Sequence, residues 1–153
     1  MYSFSKQTLD LLYEAGWKED RHFDTTEYER LLKTHGHPVF PVVHDFLQSF
    51  GGLKIHHPHL YVEGVWEEMD LSISEYTAEV RIYNASDLAE DIGTPVCLIG
   101  NFYNRMMCLF MSASGYVYGD SDYYFQVGTS GPDAIEAICT NRKFTDISET
   151  TNL

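Results

Sequence analysis

The chain has 153 residues, of which 44% are hydrophobic and 14% aromatic, and it carries a formal net charge of −13. This length and apolar content predict one folded domain, and the absence of a long apolar run argues against a membrane-spanning helix. The negative charge disfavours nucleic acid and anionic membranes as partners, because like charges repel. The N-terminal segment lacks a basic region followed by an apolar stretch, so we expect no signal peptide and a cytoplasmic protein.

Helical periodicity with clear stop signals marks the first third of the chain. Glycine enters the left-handed conformation that follows a helix at little cost. Ser5 is a typical N-cap residue, and proline suits a first helical turn. The predicted helices are Lys6 to Ala15 with a stop at Gly16, a second from Thr26 with a stop at Gly36, and a third from Pro41 with a stop at Gly51 and Gly52.

The middle of the chain is rich in β-branched and aromatic residues, which favour strands. Predicted strands are Leu53 to His56, Leu60 to Trp66, Leu71 to Tyr83, Pro95 to Phe102, Met106 to Ser112, Tyr116 to Tyr118 and Tyr123 to Val127; a short helix from Ser86 to Ile92 and a last helix from Ser130 to about Asn141 complete the order. Because helices and strands are segregated along the chain, we expect an α+β fold with a predominantly antiparallel sheet. Residues 1–145 should form a single domain, and the polar tail 146–153 should be frayed.

The negative charge is concentrated between Glu63 and Asp91, where nine acids are opposed by Arg81 alone. Such a block attracts a basic protein and accelerates docking. It is also typical of a solvated acidic surface that keeps a protein soluble. Both interpretations stay open at this point.

Eleven tyrosines, nine phenylalanines and two tryptophans exceed what a domain of this size needs to fill its core. Sheet packing explains any single tyrosine, but tyrosine and tryptophan beside acids are also typical of interface hot spots. On a strand, Tyr61 would share a face with Glu63, and Trp66 would share a face with Glu68. The predicted partner-binding residues are Glu63, Trp66, Glu67, Glu68, Asp70, Glu75 and Glu79.

No pattern in the chain argues for catalysis. P-loop, HExxH and GxSxG motifs are absent, and the adjacent Glu67 and Glu68 would diverge on a strand instead of forming an acid–base pair. The histidine clusters, residues 35–37 and 56–59, have no nearby cysteine, so we interpret them as exposed loop residues and not as a metal site. Cys97, Cys108 and Cys139 are each in an apolar context and should be buried, reduced thiols. We therefore expect no enzyme activity, no cofactor and no metal.

Three segments together resemble a known family. They are Ala15-Gly16-Trp17 followed by Arg21, Phe46-Leu47 followed by Phe50-Gly51-Gly52-Leu53, and Gly115 to Tyr118 ahead of Val127-Gly128-Thr129. Over about Phe4 to Cys139, this pattern is similar to the third group of the SUKH superfamily. Trp17, Gly51, Gly52, Leu53 and Gly115 match the family pattern, and we interpret them as fold determinants.

The resemblance implies an α+β fold in which helices flank the sheet. It also implies a non-catalytic bacterial immunity protein, which binds and neutralises a toxin domain made by the same cell's polymorphic toxin system. The acidic segment would then cover the basic cleft of a toxin nuclease or deaminase. The alternative is an intracellular adaptor or regulatory scaffold, a role that some members of the superfamily have.

Overall fold

The computed structural model describes residues 2–59, 61–104, 106–121 and 123–147. Within these ranges the chain forms six helices and seven strands. The helices are α1 (Lys6–Glu14), α2 (Thr26–Thr34), α3 (Pro41–Phe50), α4 (Glu75–Val80), α5 (Ile82–Ile92) and α6 (Gly131–Cys139). The strands are β1 (Lys54–Pro58), β2 (Trp66–Asp70), β3 (Val96–Phe102), β4 (Met107–Ser112), β5 (Val117–Asp120), β6 (Tyr124–Gly128) and β7 (Thr145–Asp146).

All seven strands join one antiparallel sheet in chain order, from β1 at one edge to β7 at the other. On one face α6 packs against α3 and the sheet, where Gly131 lies between Phe46 and Met111. Gln7 of α1 donates a hydrogen bond to the carbonyl oxygen of Cys139 in α6, so α1 joins the same layer. The predicted fold class is confirmed: an antiparallel sheet flanked by the N-terminal helices and by one C-terminal helix.

The opposite face of the sheet is covered by α4 and α5, which follow β2 directly. The side-chain amide of Asn84 in α5 donates a hydrogen bond of 2.8 Å to the carboxylate of Asp120 in β5. The capped N-terminus of α4 begins at Ser74, whose hydroxyl accepts a hydrogen bond from Thr77 N–H. Both faces of the central strands are therefore covered by helices, and β3 is buried along its whole length.

The predicted helix stops are confirmed, and they bring distant segments together. Gly16 has φ +98° just after α1, and the next residue, Trp17, folds back into the core. The Trp17 ring stacks on Phe50, the last residue of α3, with centroids 5.7 Å apart. A Cβ on Gly51 would lie 2.5 Å from the carbonyl oxygen of Leu47, so no larger residue fits this joint. Trp17 and Gly51, which match the family pattern, therefore occupy tightly packed positions, as expected of residues on which the fold depends.

The predicted strand from Leu71 to Tyr83 is wrong, because this segment forms α4 and the start of α5. A reciprocal capping box between Ser74 and Thr77 starts α4, which outweighs the β-propensity of the neighbouring residues. The apolar residues of α4 and α5 follow helical spacing, as expected for residues that face a core. They are Ala78, Ile82, Ala85, Leu88 and Ile92.

The predicted strand from Leu60 to Trp66 is also displaced along the chain. Residues 61–64 form a turn in which Gly64 has φ +81°, and β2 begins only at Trp66. Leu60 lies outside the described residues. The acidic sequence of β2 gives little intrinsic strand preference, and its pairing with β1 is what makes it a strand.

The sheet continues into the segment expected to be frayed. Asp146 belongs to β7, and the N–H of Ile147 donates to the carbonyl of Tyr124 at 3.3 Å. Residues 148–153, the rest of the predicted tail, lie outside the described residues. Across the described ranges, no helix combines the length and apolarity needed to cross a membrane.

We expect Gly128→Ala to destabilise the protein by about 3 kcal/mol, which is the upper end of the usual free-energy cost of overpacking a rigid contact. An added Cβ would lie 2.5 Å from the backbone nitrogen of Ala134 in α6. The control Gly93→Ala has φ +76° but open space around its Cβ, so it should cost only about 1 kcal/mol of left-handed strain. Chemical denaturation measures both values, and an equal or smaller loss for Gly128→Ala would contradict the close packing of β6 against α6.

Candidate functional site

The pairing of β1 with β2 decides which acidic side chains share a face. His56 is opposite Glu68, and Lys54 is opposite Asp70. Alternate residues of a strand point to the same face, so Trp66, Glu68 and Asp70 lie together on the face that α4 and α5 cover further along the sheet. Trp66 and Glu68 extend beyond the helices and stay accessible.

The exposed end of this face is a shallow groove around Trp66, and we call it the Trp66 groove. His56, Trp66, Glu67, Glu68 and Asn104 line it. Trp66 has the most apolar side chain among these residues, and it is nevertheless 55% exposed to solvent. The carboxylate of Glu68 lies 3.8 Å from the imidazole Nε2 of His56 on the neighbouring strand. An exposed aromatic ring beside partly buried acids is the composition of a protein-binding hot spot.

The loop between β1 and β2 adds apolar surface next to the groove. Tyr61 is 82% exposed, and Val62 and Val65 are exposed as well. The imidazole Nδ1 of His59 accepts hydrogen bonds from the N–H groups of Tyr61 and Val62, at 3.0 and 3.1 Å. One ring therefore fixes the backbone that presents these side chains. Contiguous exposed apolar surface rimmed by polar groups marks an interaction site.

The turn after β3 supports the groove from the other side. Tyr103 and Asn104 both adopt left-handed conformations, with φ +55° and +52°. The N–H of Glu68 donates to Asn104 Oδ1 at 2.8 Å, and the N–H of Asn104 donates to the carbonyl of Glu68 at 3.1 Å. These two bonds hold the position of Glu68 on β2.

Glu67 points to the opposite face of the sheet from Glu68, as expected for neighbours on a strand. Its carboxylate lies 3.6 Å from Nε2 of His59, and its side chain is only 15% exposed. Glu67 therefore stands beside the ring that holds the loop. Although Glu67 is among the residues that line the groove, its carboxylate is directed to His59 and not to the side chains of Trp66 and Glu68.

Asp70 lies inside the protein. It is 4% exposed, and its Oδ1 accepts hydrogen bonds from the N–H and the hydroxyl of Ser72, at 3.0 and 2.5 Å. The charge pattern of the sequence suggested that Asp70 belongs to an open acidic surface, and this prediction is wrong. Burial follows from the position of Asp70 at the end of β2, where the chain passes under α4.

The other predicted acids occupy separate elements. Glu63 is exposed in the β1–β2 loop, where it does not share a strand face with Tyr61. Glu75 and Glu79 are exposed on α4, and the Glu75 carboxylate contacts Nε2 of His35 at 2.5 Å. The structure brings Glu68 together with Trp66 and places Glu63 in the adjoining loop; the acids of α4 form a second exposed group.

The histidine clusters are less exposed than the sequence suggested. His37 and His57 are buried, and His37 Nε2 bonds to the carbonyl oxygen of Ala78 at 2.8 Å. Burial lowers the pKa of His57 to about 4, so its ring is neutral near pH 7. Over residues 2–59, 61–104, 106–121 and 123–147, no three histidine, cysteine or acidic side chains are grouped to hold a metal ion.

The cysteines are buried and unpaired, as predicted. Desolvation raises the pKa of Cys97, Cys108 and Cys139 to about 12 in each case. Their thiols are therefore protonated near neutral pH, which is a property of inert structural cysteines.

Sequence reasoning missed His56 and Asn104 as neighbours of Trp66. His56 comes from the opposite strand and is identified only by the register of β1 against β2. Asn104 had one detectable signal, because asparagine is enriched at left-handed turn positions. That signal predicts a turn, not a contact with Glu68.

We expect Asn104→Ala to loosen β2, because it removes the acceptor for Glu68 N–H. Alanine also adopts the left-handed conformation at φ +52° at a higher free-energy cost than asparagine. Asn104→Gly removes the same acceptor without the conformational cost. Hydrogen exchange at the Glu68 amide should accelerate in both variants. The stability loss should be about 1 kcal/mol greater for alanine; unchanged exchange in both would contradict the role of the Asn104 side chain.

Comparison with known proteins agrees with these observations. Neither a search of curated protein sequences nor a search of solved structures gives a match to this chain. The sequence model of the SUKH-3 immunity protein family matches residues 4–141, which is most of the domain. The helix-stop segments, the antiparallel sheet and the family match lead to one conclusion: the chain belongs to the SUKH-3 immunity protein family.

Proposed function

We propose that this protein is a non-catalytic immunity protein that neutralises a cognate toxin domain by binding it at the Trp66 groove. The observation that carries the proposal is Trp66 itself, exposed on the same strand face as Glu68 and next to the apolar loop with Tyr61. Such an aromatic anchor surrounded by partly buried polar groups can supply most of the energy of a complex.

The charge of the surface favours a basic partner. Glu63 and Glu68 flank Trp66, and the exposed acids Glu75 and Glu79 extend the negative field over α4. Charge complementarity would accelerate docking and make it sensitive to salt. A toxin nuclease or deaminase offers a fitting target, since a cleft that binds nucleic acid carries Lys and Arg. The same negative field repels nucleic acid and anionic membranes. The protein meets its toxin in the cytoplasm.

A test of the proposal begins with co-purification of the protein with the toxin domain encoded beside its gene, at low and at high salt. A stoichiometric complex that rescues cells from the toxin supports an immunity role. If the neighbouring product neither binds nor harms cells, the proposal fails.

We expect Trp66→Ala to weaken toxin binding by about 2 kcal/mol or more, or about thirtyfold, because a central aromatic anchor is lost. Calorimetry or surface plasmon resonance measures the dissociation constant. The control is Tyr83→Ala, which removes an aromatic side chain that is even more exposed, 75% against 55% for Trp66, from α5. Equal losses in the two variants would contradict a binding site centred on Trp66.

We expect Glu68→Lys to weaken binding about tenfold and to flatten its salt dependence, because a charge that faces the partner is inverted. Glu19→Lys makes the same change in net charge at an exposed position before α2. If both variants behave alike, the effect is one of net charge alone, and Glu68 has no specific contact with the toxin.

A further inference from the structure

Strand β1 is an edge of the sheet, and it borders the Trp66 groove. Because the sheet runs in order from β1 to β7, β2 is the only strand beside β1 in the part of the chain that the structure describes. His56 of β1 is paired with Glu68, and Pro58 is paired with Trp66. A chain that lay along the outer side of β1 would therefore be next to the groove.

The hydrogen bonds that flank β1 and β2 show which backbone groups point outward. In an antiparallel pair, the N–H and C=O of one residue both face the neighbouring strand, and those of the next residue both face away. Leu71 N–H donates to the carbonyl of Leu53 at 2.9 Å, and His59 N–H donates to the carbonyl of Val65 at 2.8 Å. The residues of β1 that bond to β2 are therefore the odd-numbered ones.

Glu68 shows the same alternation from the side of β2. Its N–H donates to Asn104 Oδ1 at 2.8 Å, and its carbonyl accepts from Asn104 N–H at 3.1 Å. The backbone of Glu68 thus faces the turn after β3 and not β1. Two paired residues without hydrogen bonds between them turn their backbone groups away from each other. The backbone groups of His56 therefore point to the outer side of β1, together with those of Lys54 and Pro58.

The outward backbone groups of Lys54 and His56 are vacant. Among the described residues, no hydrogen bond reaches the N–H or the carbonyl of either residue on this side. Both residues are exposed, and the His56 side chain is 70% exposed. Pro58 has no N–H, and its carbonyl is hydrogen-bonded to Nδ1 of His57 at 3.1 Å. Lys54 and His56 thus offer their N–H and carbonyl groups to an incoming strand.

An exposed strand edge is a template for an extended segment of another protein, whose backbone supplies the complementary groups. Main-chain hydrogen bonds then provide affinity, and pockets for alternate side chains provide specificity. β1 has five residues for such pairing, whereas β7 at the other edge has two. Only the β1 edge lies beside the Trp66 groove, which can receive side chains of the added segment.

The charge of the protein disfavours a second copy as the added strand. Each copy has a net charge of −13, so two copies repel each other. Antiparallel self-pairing centred on His56 would set Lys54 opposite Pro58, which has no N–H to donate. Lysine and proline on an edge strand limit self-association. A segment from a basic protein is instead attracted by the negative field.

We propose that the toxin domain adds an extended segment to the sheet along β1, with backbone hydrogen bonds to Lys54 and His56. The inference rests on the proposed function and extends it, because it adds a main-chain contact to the side-chain contacts at the Trp66 groove. Every second side chain of the added segment would point to the face of the sheet that carries Trp66. The toxin would then be held by its backbone and by the groove at once.

The first test is amide hydrogen exchange, measured by nuclear magnetic resonance on the intact protein, free and in complex with the toxin domain encoded beside its gene. In the free protein, the amides of Lys54 and His56 should exchange faster than those of Ile55 and His57, which face β2. The toxin should slow exchange at Lys54 and His56 about a hundredfold, because both amides become hydrogen-bonded. Slow exchange already in the free protein, or unchanged rates in the complex, would overturn the proposal.

Two variants of one residue separate a backbone contact from a side-chain contact. His56→Ala and His56→Pro both lose the imidazole, but only proline loses the outward N–H, and proline is tolerated where an edge N–H faces solvent. The toxin should bind His56→Pro about tenfold more weakly than His56→Ala, because a carbonyl of the added segment is left without its donor. Equal affinities would contradict strand addition. If the proline variant does not fold, as its melting curve would show, hydrogen exchange in the wild-type complex decides.

The outcomes also distinguish other occupants and the proposed function. A dimer in ultracentrifugation that protects the Lys54 and His56 amides without toxin would assign the edge to a second copy and overturn the proposal. If Trp66→Ala weakens toxin binding while these two amides exchange equally fast in the complex, the immunity role stands and strand addition fails. If the neighbouring product neither binds nor harms cells, both proposals fail.

Discussion

The register between β1 and β2 is the constraint on which the accessible face of this protein depends. It sets His56 opposite Glu68 and Lys54 opposite Asp70. A slip of one residue would turn Trp66 and Glu68 to the other face of the sheet and bring Met69 out of the core. The sequence of β2 gives this register little support from strand propensity. Support comes instead from the two ends, where Asn104 bonds to the backbone of Glu68 and Gly52 N–H donates to the carbonyl of Leu71 at 2.7 Å.

Local signals made the helices of the first third predictable. Each predicted stop, at Gly16, Gly36 and Gly51, depends on a residue and its immediate neighbours, so no knowledge of distant contacts is needed. The segment from Leu71 to Tyr83 contains β-branched and aromatic residues that favour a strand, yet it forms α4 and the start of α5. Ser74 and Thr77 form a capping box that lacks the usual Glu or Gln and is seen only in the structure, whereas the apolar residues from Ala78 onward have a period of three to four. Composition was a weaker guide there than periodicity.

The candidate surface was predictable in composition but not in geometry. The block of acids with Trp66 at its centre is visible in the sequence, and it does include the exposed groove. Which acids share that surface depends on pairing across strands and on the position of α4. For this reason the sequence does not reveal that Asp70 is buried, that Glu67 faces His59, or that the side-chain oxygen of Asn101 is buried without a hydrogen-bond partner among the described residues. Whether a buried acceptor lacks a hydrogen-bond partner depends on three-dimensional packing, and no sequence pattern predicts it.

The reactivity of the three buried cysteines can report which parts of this protein open to solvent. They lie in β3, β4 and α6, on different elements of the sheet and of one helical layer. With pKa values of about 12, the thiols are poor nucleophiles while they stay buried. Each thiol becomes reactive only when its own element opens to solvent. The number of alkyl groups added to a molecule therefore distinguishes fraying of a single element, which exposes one thiol, from cooperative unfolding, which exposes all three. A bound partner that clamps β2 onto the sheet would slow the second process without any contact with sulfur.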